Sequence, residues 1–316
     1  MTIQGPEVDL IYLWVDGEDP VWQEKKSQYT DMVYDDSEVH NKGRYADNDE
    51  LKYALRSAHK HAPWIRKIFI VTDNQQPAWL DTNHPKIQIV DHREIFPEGI
   101  LPCYNSSVIE YFLYKIPGLA EHFLYSNDDM FFNADLPPEF FFSEEDGYPI
   151  VRMKRNYLGK WFYPLKKLTK KGLGQYAQMI GDGAAMVKEM FGPYYSGTPH
   201  HNIDAYLKSD YKIAVEEVFR QQVIASQYNR TRTRGDLHRS AFSFYALSQG
   251  RAHLKYVGRQ TSSRILLNKH DFNAYLNKYN PKMFCLNDSQ RITDSHRNLI
   301  AGLLQEQFPE KPPFER

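Results

Sequence analysis

The stretch that most constrains this sequence is FLYSNDDMFF at residues 123–132, where apolar and aromatic residues flank two adjacent acids. The pattern predicts a buried β-strand that ends at Asp128 and Asp129. Because successive side chains of a strand point to opposite faces, both acids can reach one ion only from a turn, and we place them on a turn. Ligands of open α/β sheets collect at the carboxyl ends of strands, so the pair could hold a divalent cation and, through it, a phosphate. A polar turn that simply ends the strand is the structural alternative.

Three earlier stretches of the sequence show the same pattern of apolar residues followed by polar ones. Mostly apolar stretches at residues 8–15, 67–72 and 86–90 read as strands, and each is followed by polar residues, among them Asp16 and Asp73. Strands separated by helical or long connections predict parallel pairing through right-handed crossovers. The fold class is therefore predicted to be α/β with a mostly parallel sheet, and its polar loops gather at one end.

Two helices are predicted between these strands. Asp47 and Glu50 stand at capping-box spacing before an apolar pattern at i, i+3, i+4 and i+7, and Pro63 ends this helix. The second helix is expected over about residues 106–115.

The second half of the chain has a weaker pattern. Residues 205–227 and 294–307 are predicted to be helical. No repeat and no low-complexity linker separates the halves. We therefore predict one α/β catalytic domain over residues 1–316, with the sheet core in about 1–150 and a helical, loop-rich part in about 151–316.

Composition excludes several classes of function. The formal net charge of −1 gives no global attraction to nucleic acid or to an anionic membrane, although residues 152–171 contain eight basic residues and no acid. Cys103 and Cys285 are too few for a disulfide framework. There is no leader-like N-terminus and no run of 18 apolar residues, so we expect a cytoplasmic protein without a membrane span. The absence of GxxxxGK[ST], of GxGxxG after the first strand, of CxxC and of HExxH argues against P-loop, dinucleotide-binding and zinc proteins.

Three side chains are candidates for proton transfer. Glu110 lies in the second predicted helix, where Ser107 three residues earlier makes a capping box an equally good explanation. His200 and His201 follow the loop signal Gly-Thr-Pro and could, as neutral imidazoles, take a proton from a hydroxyl. A packed or surface-exposed pair is the structural alternative for the histidines.

Arg232 and Arg234 are candidates for binding phosphate. They stand two residues apart, so in an extended segment both would face the same side, and guanidinium groups grip phosphate oxygens well. A solvated loop is the structural alternative.

Four blocks of the sequence together resemble the Stealth family of sugar-phosphate transferases. This family includes bacterial capsule-polymer phosphotransferases and the lysosomal-enzyme N-acetylglucosamine-1-phosphotransferase. The blocks are DLIYLWVDGEDP at residues 9–20, the long segment from RYADNDELKYALRSAHKHAPWIRKIFIVTDNQQPAWL through LPCYNSSVIE to FLYSNDDMFF at 44–132, the His200 region with RTRTRGDLHRSAFSFYAL, and FCLND with the tail FPEKPPFE. The resemblance covers most of the chain and implies a sheet like that of nucleotide-sugar transferases.

The resemblance implies transfer of a hexosamine 1-phosphate, or a related sugar 1-phosphate, from a UDP-sugar to a hydroxyl of an acceptor glycan, with release of UMP. Asp128 and Asp129 would hold Mg²⁺ or Mn²⁺ against the pyrophosphate. Asp129 and Glu110 would belong to the catalytic residues. One or both of His200 and His201 would join them, together with one or both of Arg232 and Arg234. The substrate-binding residues expected from the same blocks are Asp16, Arg44, Asn48, Asp73, Asn105 and Asn127.

The expected partners are a UDP-sugar donor and a glycan or sugar-phosphate polymer acceptor, with no nucleic acid and with peripheral contact to the capsule assembly machinery. Two other functions stay open. A metal-dependent glycosyltransferase would use the same acids but move the sugar alone and release UDP. A non-catalytic glycan-binding module would explain the 22 Tyr, 18 Phe and 5 Trp residues as stacking platforms.

Overall fold

The computed structural model describes residues 6–29, 45, 47–169, 172–288 and 292–316. The expected substrate-binding residue Arg44 lies outside these residues. The described strands are β1 (Val8–Leu13), β2 (Ile68–Thr72), β3 (Ile87–Asp91), β4 (His122–Asn127), β5 (Met130–Phe132), β6 (Ile150–Lys154), β7 (Thr198–Pro199), β8 (Asp204–Leu207), β9 (His253–Tyr256), β10 (Ser262–Ile265) and β11 (Met283–Leu286).

The helices alternate with the strands in the first half of the chain and dominate much of the second. They are α1 (Pro20–Ser27), α2 (Glu50–His61), α3 (His92–Ile95), α4 (Ser106–Tyr111), α5 (Phe162–Lys167), α6 (Gln175–Phe191), α7 (Lys208–Ile213), α8 (Arg220–Ser226), α9 (Ser240–Ser248), α10 (Phe272–Tyr279) and α11 (Asp294–Gln307). The helix predicted for residues 294–307 is confirmed.

Within the described residues, the largest sheet has five strands in the order β3-β2-β1-β4-β8. β1 lies at the centre and pairs in parallel with both β2 and β4, and β2 pairs in parallel with β3. The α/β fold class with a mostly parallel sheet is thus confirmed. β8 pairs with β4 in the antiparallel direction, so the helix predicted over residues 205–227 is wrong at its start. Alternation of apolar and polar residues is absent in β8 because it is an almost wholly buried strand, and such a strand resembles a buried helix in sequence.

Apolar side chains cover both faces of the central sheet. On β1, Leu10 and Tyr12 join a core that includes residues of α2 and α11, whereas Ile11 joins a second core with residues of α4 and α9. Successive residues of a strand point to opposite faces, so β1 contributes to both cores. Each core contains residues from both halves of the chain. The organisation as one catalytic domain stays a prediction.

The capping box predicted at α2 is wrong, and so is the capping box at α4 that was the structural alternative for Glu110. Asp49 precedes α2 without a side-chain cap, and the Glu50 carboxylate instead accepts hydrogen bonds from Asn48 N at 2.6 Å and Asn48 Nδ2 at 2.8 Å. At α4 the cap is Asn105, whose Oδ1 accepts from Ser107 N at 3.1 Å. Glu110 therefore lies inside α4 and is not used as a cap.

The turn between β4 and β5 joins two sheets. β4 belongs to the central sheet, whereas β5 pairs with β11 in a sheet of order β10-β11-β5. The chain changes sheet over Asp128 and Asp129, which lie on the predicted turn. A further sheet of the described residues has the order β7-β6-β9.

A buried ion pair fixes the C-terminal segment to α2. Arg56 donates to both carboxylate oxygens of Glu315, at 2.7 and 2.6 Å, and to the Phe308 carbonyl at 2.8 Å. Both charged side chains are almost fully buried. Removing one partner of such a pair leaves a charge without compensation in a place where water cannot reach it.

We expect Arg56→Met to lower the free energy of unfolding by about 3–5 kcal/mol, since the Glu315 carboxylate would stay buried and lose both hydrogen bonds to Arg56, with the exposed Lys311 ammonium 3.9 Å away. Urea unfolding followed by circular dichroism measures the change. Arg93→Met is the matched control, because Arg93 also pairs with an acid, Asp91, but does so at the surface. Equal midpoints for the two variants would contradict this account of the C-terminal segment.

Candidate active site

The Asp128–Asp129 turn is braced by β11. Leu286 N donates to the Asp129 carbonyl at 2.9 Å, and the Cys285 thiol donates to Asp129 Oδ2 at 3.2 Å. The other carboxylate oxygen, Asp129 Oδ1, is buried and has no hydrogen-bond partner. A buried acceptor without a partner is costly for a fold, and such groups often mark a site for an ion or a substrate.

Four carboxylic acids lie around this turn, and three of them disfavour the charged form of the fourth, Asp128. Burial, followed by the charges of Asp129, Glu50 and Asp47, raises the pKa of Asp128 well above its usual range. Burial also raises the pKa of Asp129 and of Asp47 to about 6 and that of Glu50 to about 7. This concentration of negative charge favours a bound cation.

The residues of the turn fit a cation that takes few protein ligands. In the part of the chain that the structure describes, no group of three His, Cys, Asp or Glu residues is arranged to hold a metal ion. Asp128 and Asp129 offer two adjacent carboxylates, and Asp129 Oδ1 is free to accept. Mg²⁺ usually binds through one or two carboxylates and completes its shell with water and substrate phosphates, so the pair suits this ion better than a closed protein cage would.

Positive charge lies beside the acids. Arg264 of β10 pairs with Cys285 of β11, the residue whose thiol contacts Asp129. The charge of Arg264 lowers the pKa of Asp129 and of His201. Its Nε donates to Asn287 Oδ1 at 2.9 Å, which fixes the exposed guanidinium. The pKa of Lys154 is lowered by burial and then by Arg264, so these two cations are also neighbours. A bound anion would relieve their mutual repulsion.

Glu110 belongs to a second, buried cluster. Tyr125 OH lies 2.9 Å from Glu110 Oε1 and 2.7 Å from Asn127 Oδ1, and its single proton serves one acceptor at a time. Arg239 reaches Glu110 Oε1 at 3.5 Å and lies 4.2 Å from the centre of the Tyr125 ring. Glu110 Oε2 is buried without a partner. Because Asn127 immediately precedes Asp128, these bonds connect Glu110 to the acidic turn.

Asp204 links this cluster to the histidines. Its two oxygens contact Arg239 Nη2 and His200 Nε2, both at 3.0 Å. Burial favours the neutral acid, but the hydrogen bond to His200 and the charge of Arg239 together lower the pKa of Asp204 to about 2. Asp204 is therefore a carboxylate at neutral pH and pairs with the Arg239 guanidinium.

The two histidines have different surroundings. His200 is buried, and its ring is held by Asp204. His201 is half-buried, has a left-handed backbone with φ of 57°, and packs edge-on against Tyr176. Burial, followed by the charges of Arg264 and Arg239, lowers the pKa of His201 to about 3. His201 is thus a neutral imidazole, and its strained backbone is the kind of feature that is often found at functional sites.

The two arginines that were expected to bind phosphate form hydrogen bonds with residues outside the acidic turn. Arg232 is half-buried and donates to Ser106 Oγ at the start of α4. Arg234 is exposed, and its Nη1 lies 3.4 Å from Gln178 Oε1. Catalytic roles for both stay predictions.

Asp16 and Asp73 follow β1 and β2, as expected. Asp16 Oδ1 accepts from Glu18 N at 2.9 Å, and its backbone is bound on both sides by the Gln75 amide. Asp73 pairs with Lys25 at 2.6 Å, and its Oδ2 is buried without a partner. Substrate binding by either residue stays a prediction.

The side chains of Asn48 and Asn105 form hydrogen bonds within the protein. Asn48 bonds Glu50, as described above. Besides capping α4, Asn105 donates through Nδ2 to Asp236 Oδ2 at 2.8 Å and to the carbonyls of Asn229 and Thr231. It thereby ties the loop before α9 to α4, and its role in substrate binding stays a prediction.

Sequence reasoning missed five residues of the site: Tyr125, Lys154, Asp204, Arg239 and Arg264. Two signals could have indicated some of them. Asp204 is an acid that opens a buried apolar run, and Arg239 directly follows a histidine inside the third resembling block. Nothing in the local sequence distinguishes Lys154 or Arg264 from other basic residues.

The fold and the site describe an α/β protein with an acidic turn at the carboxyl end of β4 and cations beside it. Two family models match the chain, Stealth protein CR1, conserved region 1, over residues 6–34, and Stealth protein CR2, conserved region 2, over residues 44–150. A capsular polysaccharide phosphotransferase of Actinobacillus suis is 30% identical over 97% of this chain and 84% of its own length. Cps12A, a capsular polysaccharide phosphotransferase of Actinobacillus pleuropneumoniae, is 32% identical over 96% and 83%. The chain belongs to the Stealth family.

Other similar proteins differ in length or are more distant. An exopolysaccharide phosphotransferase of Streptomyces coelicolor is 32% identical over 98% of this chain but only 51% of its own length. The chain thus spans about half the length of that relative. The solved galactosyltransferase LgtC, in complex with donor and acceptor sugar analogues, has a TM-score of 0.47 and 11% identity, covering 96% of this chain and 98% of LgtC. Among the described helices of this protein, none is both long and apolar enough to cross a membrane.

Because the pKa of Asp129 is raised, we expect the effect of Asp129→Asn on stability to depend on pH. The folded protein raises the pKa of Asp129 from 3.8 to about 6, so its destabilising effect is absent below the unfolded pKa, grows as the pH rises from about 4 to about 6, and is constant above that range. In EDTA, the Tm of Asp129→Asn should be close to that of the wild type at a pH below 3.8 and should exceed it most near pH 8. The buried histidines titrate in both proteins, so they cancel in the difference.

The same measurement tests cation binding. Mg²⁺ or Mn²⁺ should raise the Tm of the wild type near pH 8 and leave that of Asp129→Asn unchanged. Glu18→Gln is a suitable control, since it removes an acid from a surface loop. A Tm difference between Asp129→Asn and wild type that did not vary with pH would contradict the assigned electrostatics.

Proposed function

We propose that this protein transfers a hexosamine 1-phosphate, or a related sugar 1-phosphate, from a UDP-sugar to a hydroxyl of a glycan or sugar-phosphate polymer, in the synthesis of a capsular or extracellular polysaccharide. The observation that carries the proposal is the arrangement of an acidic turn, Asp128 and Asp129, beside the cations Arg264 and Lys154. Membership of the Stealth family and the names of the relatives support the phosphotransferase activity.

In the proposed reaction, the acceptor hydroxyl oxygen attacks the phosphorus that carries the sugar. The bond from that phosphorus to the bridging oxygen of the pyrophosphate breaks, and UMP leaves with the bonding electrons. The hydroxyl proton passes to a base. The bond between the sugar C1 and its oxygen stays intact, so the anomeric configuration is kept.

Asp128 and Asp129 would hold Mg²⁺ or Mn²⁺, which supplies charge neutralisation at the pyrophosphate when bound. The thiol of Cys285 and the backbone of β11 orient the Asp129 carboxylate. Arg264 and Lys154 would contact phosphate oxygens, where fixed positive charge stabilises the charge that develops during transfer.

We assign proton transfer to His201. It is neutral and half-buried, so it has a lone pair to accept a proton and access to a substrate. A phosphate bound at Arg264 would offset the charge that lowers the pKa of His201, so the imidazole becomes a stronger base once the donor is present. Glu110 and Asp204 then act by orienting Arg239 and the loop that carries the histidines.

The leaving group separates this function from its closest alternative. The protein is incubated with UDP-N-acetylglucosamine or UDP-N-acetylgalactosamine, Mg²⁺ and glycan oligosaccharides, and the nucleotide product is identified by chromatography. We expect UMP together with a phosphodiester in the glycan product, visible by phosphorus NMR, and neither in Asp129→Asn. UDP as the main product would indicate a glycosyltransferase, and binding of glycan without consumption of any UDP-sugar would indicate a binding module.

The two histidines are expected to respond differently to substitution. His201→Asn should reduce kcat by about 10²–10⁴-fold with an unchanged Tm, since asparagine tolerates the left-handed backbone but cannot act as the base. His200→Gln should lower the free energy of unfolding by about 1–3 kcal/mol, because it disturbs a buried hydrogen bond to Asp204. Turnover assays and urea unfolding measure the two effects. A His201→Asn variant with full activity would exclude this base.

Glu110→Gln tests the alternative base. It preserves the shape of the side chain and a hydrogen bond to Tyr125, so the protein should fold. If Glu110 only orients Arg239, the pH dependence of kcat should keep its shape in this variant, with a lower plateau. Loss of the acidic limb of the profile would assign the proton transfer to Glu110 and contradict the role of His201.

A further inference from the structure

A surface segment at residues 155–169, which we call the α5 segment, exposes large apolar side chains. Tyr157 is 93% exposed, Leu168 is 84% exposed and Trp161 is 61% exposed, and Leu158 and Leu165 are about half exposed. Single exposed apolar residues are common on proteins, but a group of this size on one short segment is typical of a binding surface.

The α5 segment is nevertheless fixed to the protein. Tyr163 is buried and packs on Gly181 of α6, where a Cβ atom would come within 3.0 Å of the tyrosine ring. Phe162 packs against the core on the same side. The buried rings therefore orient the helix so that Trp161, Leu165 and Leu168 face outward.

Positive charge accompanies the apolar residues. Residues 152–171 contain eight basic residues and no acid. Lys160 and Lys166 lie 5.6 and 5.4 Å from the ring centres of Trp161 and Phe162. The neighbouring α6 contributes one nearby acid, Asp182, whose carboxylate is 3.9 Å from Lys167. The surface thus combines aliphatic, aromatic and cationic groups.

We propose that the α5 segment binds the surface of an anionic lipid bilayer. Trp and Tyr side chains favour the level of the lipid headgroups, Leu158, Leu165 and Leu168 would enter the acyl boundary, and the lysines would pair with lipid phosphates. An acidic glycan would pair with the lysines and stack on the aromatic rings, but it offers no apolar surface to the leucines. The lipid surface is therefore the partner that matches all three kinds of side chain.

Docking of this segment would bring the candidate active site close to the membrane. The segment directly follows β6, whose last residue, Lys154, lies near Arg264 of the site. If the proposed transferase function holds, which is a separate question, an acceptor attached to a lipid would be delivered at this edge.

Vesicle sedimentation with the full chain tests the proposal without an activity assay. Vesicles of phosphatidylcholine alone are compared with vesicles that also contain about 30% phosphatidylglycerol. We expect binding to the anionic vesicles that weakens at high salt, and a reduction of about tenfold or more in Trp161→Ser/Leu168→Ser. Lys160→Glu/Lys166→Glu should lose binding in the same way while keeping every apolar side chain.

The matched control is Ile224→Ser/Leu299→Ser, which removes exposed apolar side chains from α8 and α11 and should bind like the wild type. Circular dichroism melts establish that all variants fold. Absence of binding to anionic vesicles, equal binding to both kinds of vesicle, or full binding by either α5 variant would overturn the proposal. If the protein were retained on a dextran sulfate column through the α5 segment but did not bind vesicles, the lipid proposal would be overturned and an acidic glycan would be the partner.

Discussion

The turn between β4 and β5 connects two sheets, and the geometry of the candidate site depends on this connection. β4 is fixed by parallel pairing with β1 in the centre of the molecule, and β5 is fixed by antiparallel pairing with β11. The chain has only Asp128 and Asp129 with which to cross between the sheets. The two carboxylates are therefore held together at the carboxyl end of a buried strand, although burial raises the pKa of both and the charge of Asp129 raises that of Asp128 further. A fold that keeps such a repulsive pair gains from a cation that neutralises it.

A buried network connects this turn to His200, the neighbour of His201, which is the residue proposed for proton transfer. Tyr125 and Asn127 stand two residues apart on β4, so both face the same side, and the tyrosine hydroxyl reaches from Asn127 to Glu110. Arg239 then joins Glu110 to Asp204. Buried charges of this kind are stable only when each has its partner, so the network fixes the relative positions of α4, β8 and the segment before α9. The acidic turn and the loop that carries the histidines are thus positioned by one set of bonds.

The sequence allowed prediction of those features that local pattern determines. Apolar runs that end in polar residues indicated the positions of β1 to β4. Because adjacent residues of a strand face opposite sides, Asp128 and Asp129 were predicted to lie on a turn. Capping was predicted wrongly at α2 because the spacing of Asp47 and Glu50 does not reveal that Asn48 binds Glu50. The choice between a cap and a functional role for Glu110 stayed open because the spacing of Ser107 and Glu110 does not reveal that Asn105 caps α4. Arg239, Asp204 and Arg264 were not found because they meet Glu110 and Asp129 only through contacts between distant parts of the chain. Their role follows from topology, which the pattern of single segments does not specify.

The most direct test of the central claim is whether the acidic turn holds a metal ion against the donor pyrophosphate. Mn²⁺ is added to the protein with UDP-N-acetylglucosamine, and relaxation of both phosphorus signals is measured by NMR. The account predicts strong paramagnetic broadening of both signals in the presence of the wild-type protein, and its loss in Asp128→Asn/Asp129→Asn. Broadening of equal size with both proteins, or no protein-dependent broadening at all, would contradict it.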